Sequence, residues 1–236
     1  MKLRLFLGVM VIAVAIATPS TVQAQFFSDG FDTYAAGSGI IGQGNWEGWD
    51  NDPQWDATVS DLESYSPPNS LFAAVPMDIV QVFSGVDSGV WYAKFRVFIP
   101  STMTGDLYFI ILDTYAHGSP DKHWAVQMVM CVTGCGDNGL PGFIHNYGGS
   151  DFPGGETAPL VIDDWAEIVV EVDLDASIYN AWYDGTQFVI DAIWQSTGLN
   201  EIQAFDLFSE SNLEGYYDDV WLDQTIPVEL MSFDIE

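Results

Sequence analysis

Glu171, Asp173 and Asp175 stand two residues apart in Glu171-Val172-Asp173-Leu174-Asp175. On a β-strand that spacing sets carboxylates on one face, about 6.5 Å apart along the chain, a separation compatible with paired-carboxylate acid–base chemistry. Asp175 falls where the strand gives way to a turn, so it need not share that face. In a chain with 34 acidic residues, a solvated strand face accounts for the same pattern. A non-catalytic role is therefore the preferred reading, with Glu171, Asp173 and Asp175 as the catalytic alternative.

Aromatic residues make a second constellation. Trp46, Trp49 and Trp55 fall in the polar, glycine-containing stretch from Gly44 to Trp55, and Tyr115, His117, His123, Trp124 and Tyr147 recur further along. Sugars lay their C–H faces on exposed aromatic rings while Asn and Asp hold their hydroxyls, so Trp46, Trp49, Trp55, Tyr115 and Trp124 are candidate ligand-binding residues. Tryptophan is buried on average, and that reading requires at least one of the first three to be exposed. Other chemistries find little footing. The three histidines, His117, His123 and His145, form no Ser-His-Asp pattern arguable from spacing, there is no Gly-x-Ser-x-Gly elbow, and no phosphate-cradling glycine loop joins a strand to a helix.

The elements that must position these groups read as strands. In Trp165 to Gly185, Ile168, Val170, Val172 and Leu174 alternate with Glu167, Val169, Glu171 and Asp173, the period of a strand with one buried face. A polar break at Asp175-Ala176-Ser177 precedes a second strand, Ile178 to Tyr183, closed by the turn pair Asp184-Gly185, so the segment is an antiparallel hairpin. Val90 to Ile99 repeats the logic. Trp91, Ala93, Phe95, Val97 and Ile99 point inward, while Lys94 and Arg96 on the other face are expected to pair with a neighbouring strand's Glu167 or Glu171. Further strands are expected over about 80–83, 107–113, 124–132, 143–147, 187–193, 204–208 and 216–222, and helical periodicity is nearly absent. Many strands with glycine and proline turns between them indicate an all-β, two-sheet antiparallel sandwich or jelly roll.

Composition sets the surroundings. Lys2 and Arg4, the apolar run Leu5 to Ala17 and Val22-Gln23-Ala24 have the form of a secretory signal peptide over residues 1–24. Its removal leaves Lys94, Arg96 and Lys122 against 34 acidic residues. Such a surface repels nucleic acid and anionic lipid and attracts cations. A hydrophobic content of 48%, with 14% aromatic, argues against disorder despite that charge. The expected organisation is one domain over 25–225 with a C-terminal tail over 226–236, no membrane span in the mature chain, and a secreted or cell-surface location. In an exported chain the two cysteines, Cys131 and Cys135, are expected to form one disulfide.

Trp165-Ala-Glu-Ile-Val-Val-Glu-Val-Asp, Tyr179-Asn-Ala-Trp-Tyr-Asp-Gly, the start Asp29-Gly-Phe-Asp-Thr-Tyr with Gly37, and the finish Tyr216-Tyr-Asp-Asp-Val-Trp-Leu-Asp together resemble the concanavalin A-like lectin/glucanase superfamily, in its laminin G-like branch. The resemblance covers nearly all of the mature chain in strand order. It implies a jelly roll whose first and last strands lie side by side, with a structural calcium shared by acidic residues there, Asp29 and Asp32 from the first and Asp218 and Asp219 from the last. Hard carboxylate oxygens suit Ca²⁺, and neighbouring carboxylates repel until a cation lies between them. On a regular strand Asp218 and Asp219 point to opposite faces, which makes only one of them a ligand. The acidic run at Glu171 also resembles the Glu-x-Asp-x-Glu strand of laminarinase-type glycoside hydrolases, departing from it at Asp175. The superfamily holds lectins, glycosidases, lyases and protein-binding modules. The expected function is a secreted, lectin-like module binding a glycan or another surface ligand. The alternatives are a laminarinase-type polysaccharide hydrolase or lyase, and a structural or adhesive extracellular protein.

Overall fold

The computed structural model describes residues 26–74, 76–133, 135, 140–147, 155–194, 199–209 and 214–225. The expected leader and the tail after Thr225 lie outside these residues. In chain order the strands are β1 (Phe27–Asp29), β2 (Trp46–Gly48), β3 (Thr58–Ser60), β4 (Ser70–Ala73), β5 (Met77–Val82), β6 (Val90–Phe98), β7 (Gly105–Thr114) and β8 (His123–Thr133). They continue as β9 (Phe143–Asn146), β10 (Thr157–Pro159), β11 (Trp165–Asp173), β12 (Ile178–Tyr183), β13 (Thr186–Ile193), β14 (Ala204–Ser209) and β15 (Gly215–Asp223). Two short 3₁₀ turns, Trp49–Asn51 and Pro53–Trp55, follow β2.

All named pairings are antiparallel and divide the strands into two sheets. One runs β13-β12-β11-β6-β15-β4-β3, with β1 also on β15; the other runs β10-β9-β8-β7-β14-β5-β2. The fold is thus the expected two-sheet antiparallel sandwich of the jelly-roll kind. The hairpin formed by β11 and β12 pairs in continuous register from Ile168 opposite Tyr183 to Asp173 opposite Ile178. First and last strands meet, with Phe27 opposite Leu222 and Asp29 opposite Val220.

Strand faces follow from side-chain chemistry. Along β6, Trp91, Ala93, Phe95 and Val97 are buried and the residues between them half-buried. The inner faces of both sheets fuse into one core holding Phe95, Phe109, Ile168, Val170, Phe205 and Tyr217. β7 departs from alternation: nine of its ten residues are buried. Leu107, Phe109 and Ile111 enter the main core, whereas Tyr108, Ile110 and Leu112 join a second apolar cluster with Val80, Val129 and Ala204. A strand buried on both sides means that the outer face of the seven-stranded sheet is covered. Cys131, near the end of β8, is disulfide-bonded to Cys135, as expected.

Candidate functional site: an aromatic cleft with an acidic floor

The cover on the outer face of the seven-stranded sheet is incomplete, and the gap is a cleft of about 460 Å³. Trp49, Trp124, Tyr108, Tyr147, Ile110 and Phe208 supply its apolar lining, with Gln127, Asp78 and Asp206 as the polar groups. Sheet pairing explains the convergence. Phe208 on β14 lies between Tyr108 on β7 and Asp78 on β5, and Asp206 lies between Ile110 and Val80, so all face the same side of adjacent strands.

Trp124 is the most open aromatic wall. It is 40% exposed and stacks on Trp49 with centroids 5.9 Å apart and planes 15° from parallel. The 3₁₀ turn carrying Trp49 is held by Asp50, whose Oδ1 accepts from the Gly118 N–H at 2.8 Å and from Lys122 Nζ at 2.6 Å. The Lys122 ammonium keeps the Asp50 carboxyl below its ordinary range, aided by the Gly118 N–H. Lys122 Nζ also lies 4.9 Å from the Trp49 ring centroid, a cation–π contact. From below, the buried Tyr115 packs against Trp49 at 5.1 Å, and its hydroxyl accepts from the Asp50 N–H at 3.1 Å. Burial pushes the Tyr115 phenol up to about 12. Tyr115 is thus a support for the wall and presents little surface of its own. His117 pairs with Glu47 at the same edge, while His123 Nδ1 meets Asp113 Oδ1 at 2.8 Å.

The floor contains two adjacent carboxyls. Asp206 is only 3% exposed, and its carboxyl interacts directly with that of Asp78 on the neighbouring strand. The Oδ1 atoms of both lack any N–H or O–H donor among the described residues. Adjacent buried carboxyls disfavour the doubly charged form. Burial and mutual repulsion hold Asp206 well above the ordinary carboxylate range, and burial raises Asp78 to about 7.

The remaining sequence candidates lie elsewhere. Trp46 has no exposed surface; its Nε1–H donates to Asp29 Oδ2 at 2.9 Å, and as a core residue it offers a ligand no ring face. This corrects its expected place among the ligand-binding residues, because β2 turns it inward and only the following 3₁₀ turn carries Trp49 outward. Trp55 is half-buried and does not line the cleft. Glu171 and Asp173 are half-buried on the eight-stranded sheet, and neither lines the cleft. Glu171 Oε1 accepts from Asn180 Nδ2 at 3.0 Å, Asp173 Oδ1 from the Ala176 N–H at 2.8 Å, and Asp175 Oδ1 from the Gly89 N–H at 3.0 Å. β11 ends at Asp173, so Asp175 leaves the row, as its position in the turn implied.

At the junction of β1 and β15 the four aspartates part company. Asp29 is committed to the protein: Oδ2 accepts from the Tyr34 hydroxyl at 2.6 Å and from Trp46, and Oδ1 from the Phe31 N–H at 2.8 Å. The regular strand assumed for Asp218 and Asp219 is broken by a register shift, and Asp219 has φ 47°. Both carboxylates therefore reach Ser66, Asp218 Oδ2 through its N–H at 3.1 Å and Asp219 Oδ1 through its hydroxyl at 2.7 Å. Burial raises Asp218 to about 7. Gly30 leaves a gap in which a Cβ would stand 3.2 Å from Asp219 Oδ1, 3.5 Å from Ser66 Oγ and 3.7 Å from Asp32 Oδ2. Three hard oxygens thus border one small space, a set that suits a calcium ion, with the further ligands it needs coming from carbonyls or water. No three His, Cys, Asp or Glu side chains among the described residues are grouped to hold a metal by themselves.

No protein-family model matches the sequence, and no curated protein matches it. Among solved structures, a sialidase aligns over 84% of this chain and 18% of its own, with a TM-score of 0.55 and 13% identity. A mutant Trypanosoma rangeli sialidase displaying trans-sialidase activity aligns over 73% of this chain and 28% of its own, with a TM-score of 0.50 and 13% identity. This chain therefore spans less than a third of the length of either. At such identity the shared feature is the sandwich fold.

Proposed function

We propose that this chain is an exported, non-catalytic saccharide-binding module of the concanavalin A-like kind, and that its binding surface is the cleft on the seven-stranded sheet. The observation that carries the proposal is the exposed Trp124 stacked on Trp49 beside a cleft with polar groups at its floor. Flat, partly exposed rings suit sugar C–H faces, and the nearby carboxyls and amide suit hydroxyls. The sialidases sharing the fold act on carbohydrate, in agreement with this class of ligand, although the chain matches only a fraction of each. A structural calcium held by Asp32, Asp219 and Ser66, with Asp218 beside them, is part of the proposal. The convergence of oxygens beside Gly30 supports it.

A glycan array probed in calcium-containing buffer tests the binding reading. Saturable retention on defined saccharides is the expected result, and uniform absence of retention contradicts it. Incubation with polysaccharides, followed by measurement of new reducing ends, tests the enzymatic alternative. Release that disappears in Glu171→Gln would replace the non-catalytic reading with catalysis on the other sheet.

A further inference from the structure

Among the described residues, the charged groups near the cleft other than Lys122, His117 and the Asp113-paired His123 are acidic. Asp78 and Asp206 occupy the floor, Glu47 and Asp50 the adjoining edge. Lys122 is engaged, its Nζ held by Asp50 Oδ1 at 2.6 Å and by the Ser119 carbonyl at 3.0 Å, and His117 is paired with Glu47. A sugar carboxylate in the cleft would meet like charge, with no uncommitted cation among the described residues to answer it.

The floor makes the opposite demand. Asp206 is almost wholly buried, yet its Oδ1, like that of Asp78, has no N–H or O–H donor among the described residues. Both carboxyls line a cleft large enough to admit a ligand. An ammonium group supplies three N–H donors and a positive charge, and can satisfy both oxygens. Trp49, Trp124, Tyr108 and Tyr147 line the same cleft, and aromatic rings also attract a cation. We propose that the preferred ligand is a saccharide bearing a free amino group, its ammonium received by Asp78 and Asp206. This rests on the saccharide-binding reading and names the class of saccharide.

The test is a calorimetric titration of the protein in neutral, low-salt buffer with three probes: a glucosamine tetramer, its N-acetylated counterpart and a uronic acid tetramer. Charged hydrogen bonds of this kind give an expected preference of about tenfold or more for the amine over the N-acetyl probe, with the uronic acid weakest. Raising the salt should narrow the preference. Asp206→Asn and Asp78→Asn, near-isosteric changes checked for folding by their melting curves, should each reduce the preference to about twofold or less. Equal binding of amine and N-acetyl probes, or tighter binding of the acid, overturns the amine preference and leaves saccharide binding standing. Failure of all three probes to bind counts against both. The probe series and its salt dependence on the unaltered protein decide the question even if neither variant folds.

Discussion

The two outer faces of the sandwich treat charge in opposite ways. On the eight-stranded sheet, Glu167 draws in both Lys94, at 3.1 Å, and Arg96, at 2.7 Å, and the Arg96 guanidinium covers the Tyr65 ring at 4.2 Å. Cations, acid and aromatic satisfy one another there. On the seven-stranded sheet, no cationic partner among the described residues is bonded to Asp78 or Asp206, and the nearby Trp124 remains exposed. Similar residue types thus close one face and leave the other with unmet acceptors, ring surface and room for a ligand. The proposed site follows from which interactions are incomplete, more than from where acids are most numerous.

Removing charge should separate the faces most sharply. Glu167→Gln leaves Lys94 and Arg96 crowded without their carboxylate and should cost about 3 kcal/mol in denaturant unfolding. Asp206→Asn removes a repulsion and should be neutral or stabilising at neutral pH; a comparable loss from both substitutions would erase the contrast. Acidity provides a second separation. Asp78 and Asp218 are raised from 3.8 to about 7, so between those values the folded state holds protons that the unfolded state has released. Each group's contribution to stability is present below pH 4 and lost as pH rises toward 7, by up to about 1.4 kcal/mol per pH unit. Melting curves across that window should show a fall that becomes shallower in Asp78→Asn and Asp218→Asn; an unchanged slope in both contradicts the assignment. The smallest expected effect is that of calcium at the edge joining β1 and β15. Added calcium should raise the melting temperature by a few degrees and a chelator should lower it. The response should vanish in Asp219→Asn but persist in Trp124→Ala, and no response to either reagent removes the ion.

Much of the framework was legible from alternation. The period-two pattern of Val90 to Phe98 and of the hairpin fixed their faces, and like-facing cross-strand positions brought Glu167 to the two cations. The short strands β2, β3, β4 and β10 were hidden because three or four residues carry no period, and pairing with neighbours creates them. That is why Trp46 and Trp49, three residues apart, looked equivalent although one is core and the other a cleft wall. The floor was less visible still. Asp78 and Asp206 meet through strands far apart in sequence, and each lies in an apolar run where a lone acid attracts no notice. A signal was available: the unbroken apolar stretch Leu107 to Leu112 implies a strand covered on both sides. It pointed to the sheet whose outer face carries the candidate cleft.

The most direct test compares binding of the glucosamine and N-acetylglucosamine tetramers to the unaltered protein, Trp124→Ala and Tyr65→Ala. Tyr65 is an exposed aromatic on the other face, so its loss controls for aromatic surface in general. The account predicts that Trp124→Ala weakens whichever probe binds by about tenfold or more, while Tyr65→Ala leaves affinity unchanged. Full affinity in Trp124→Ala together with loss in Tyr65→Ala would place binding on the eight-stranded sheet and contradict the central claim.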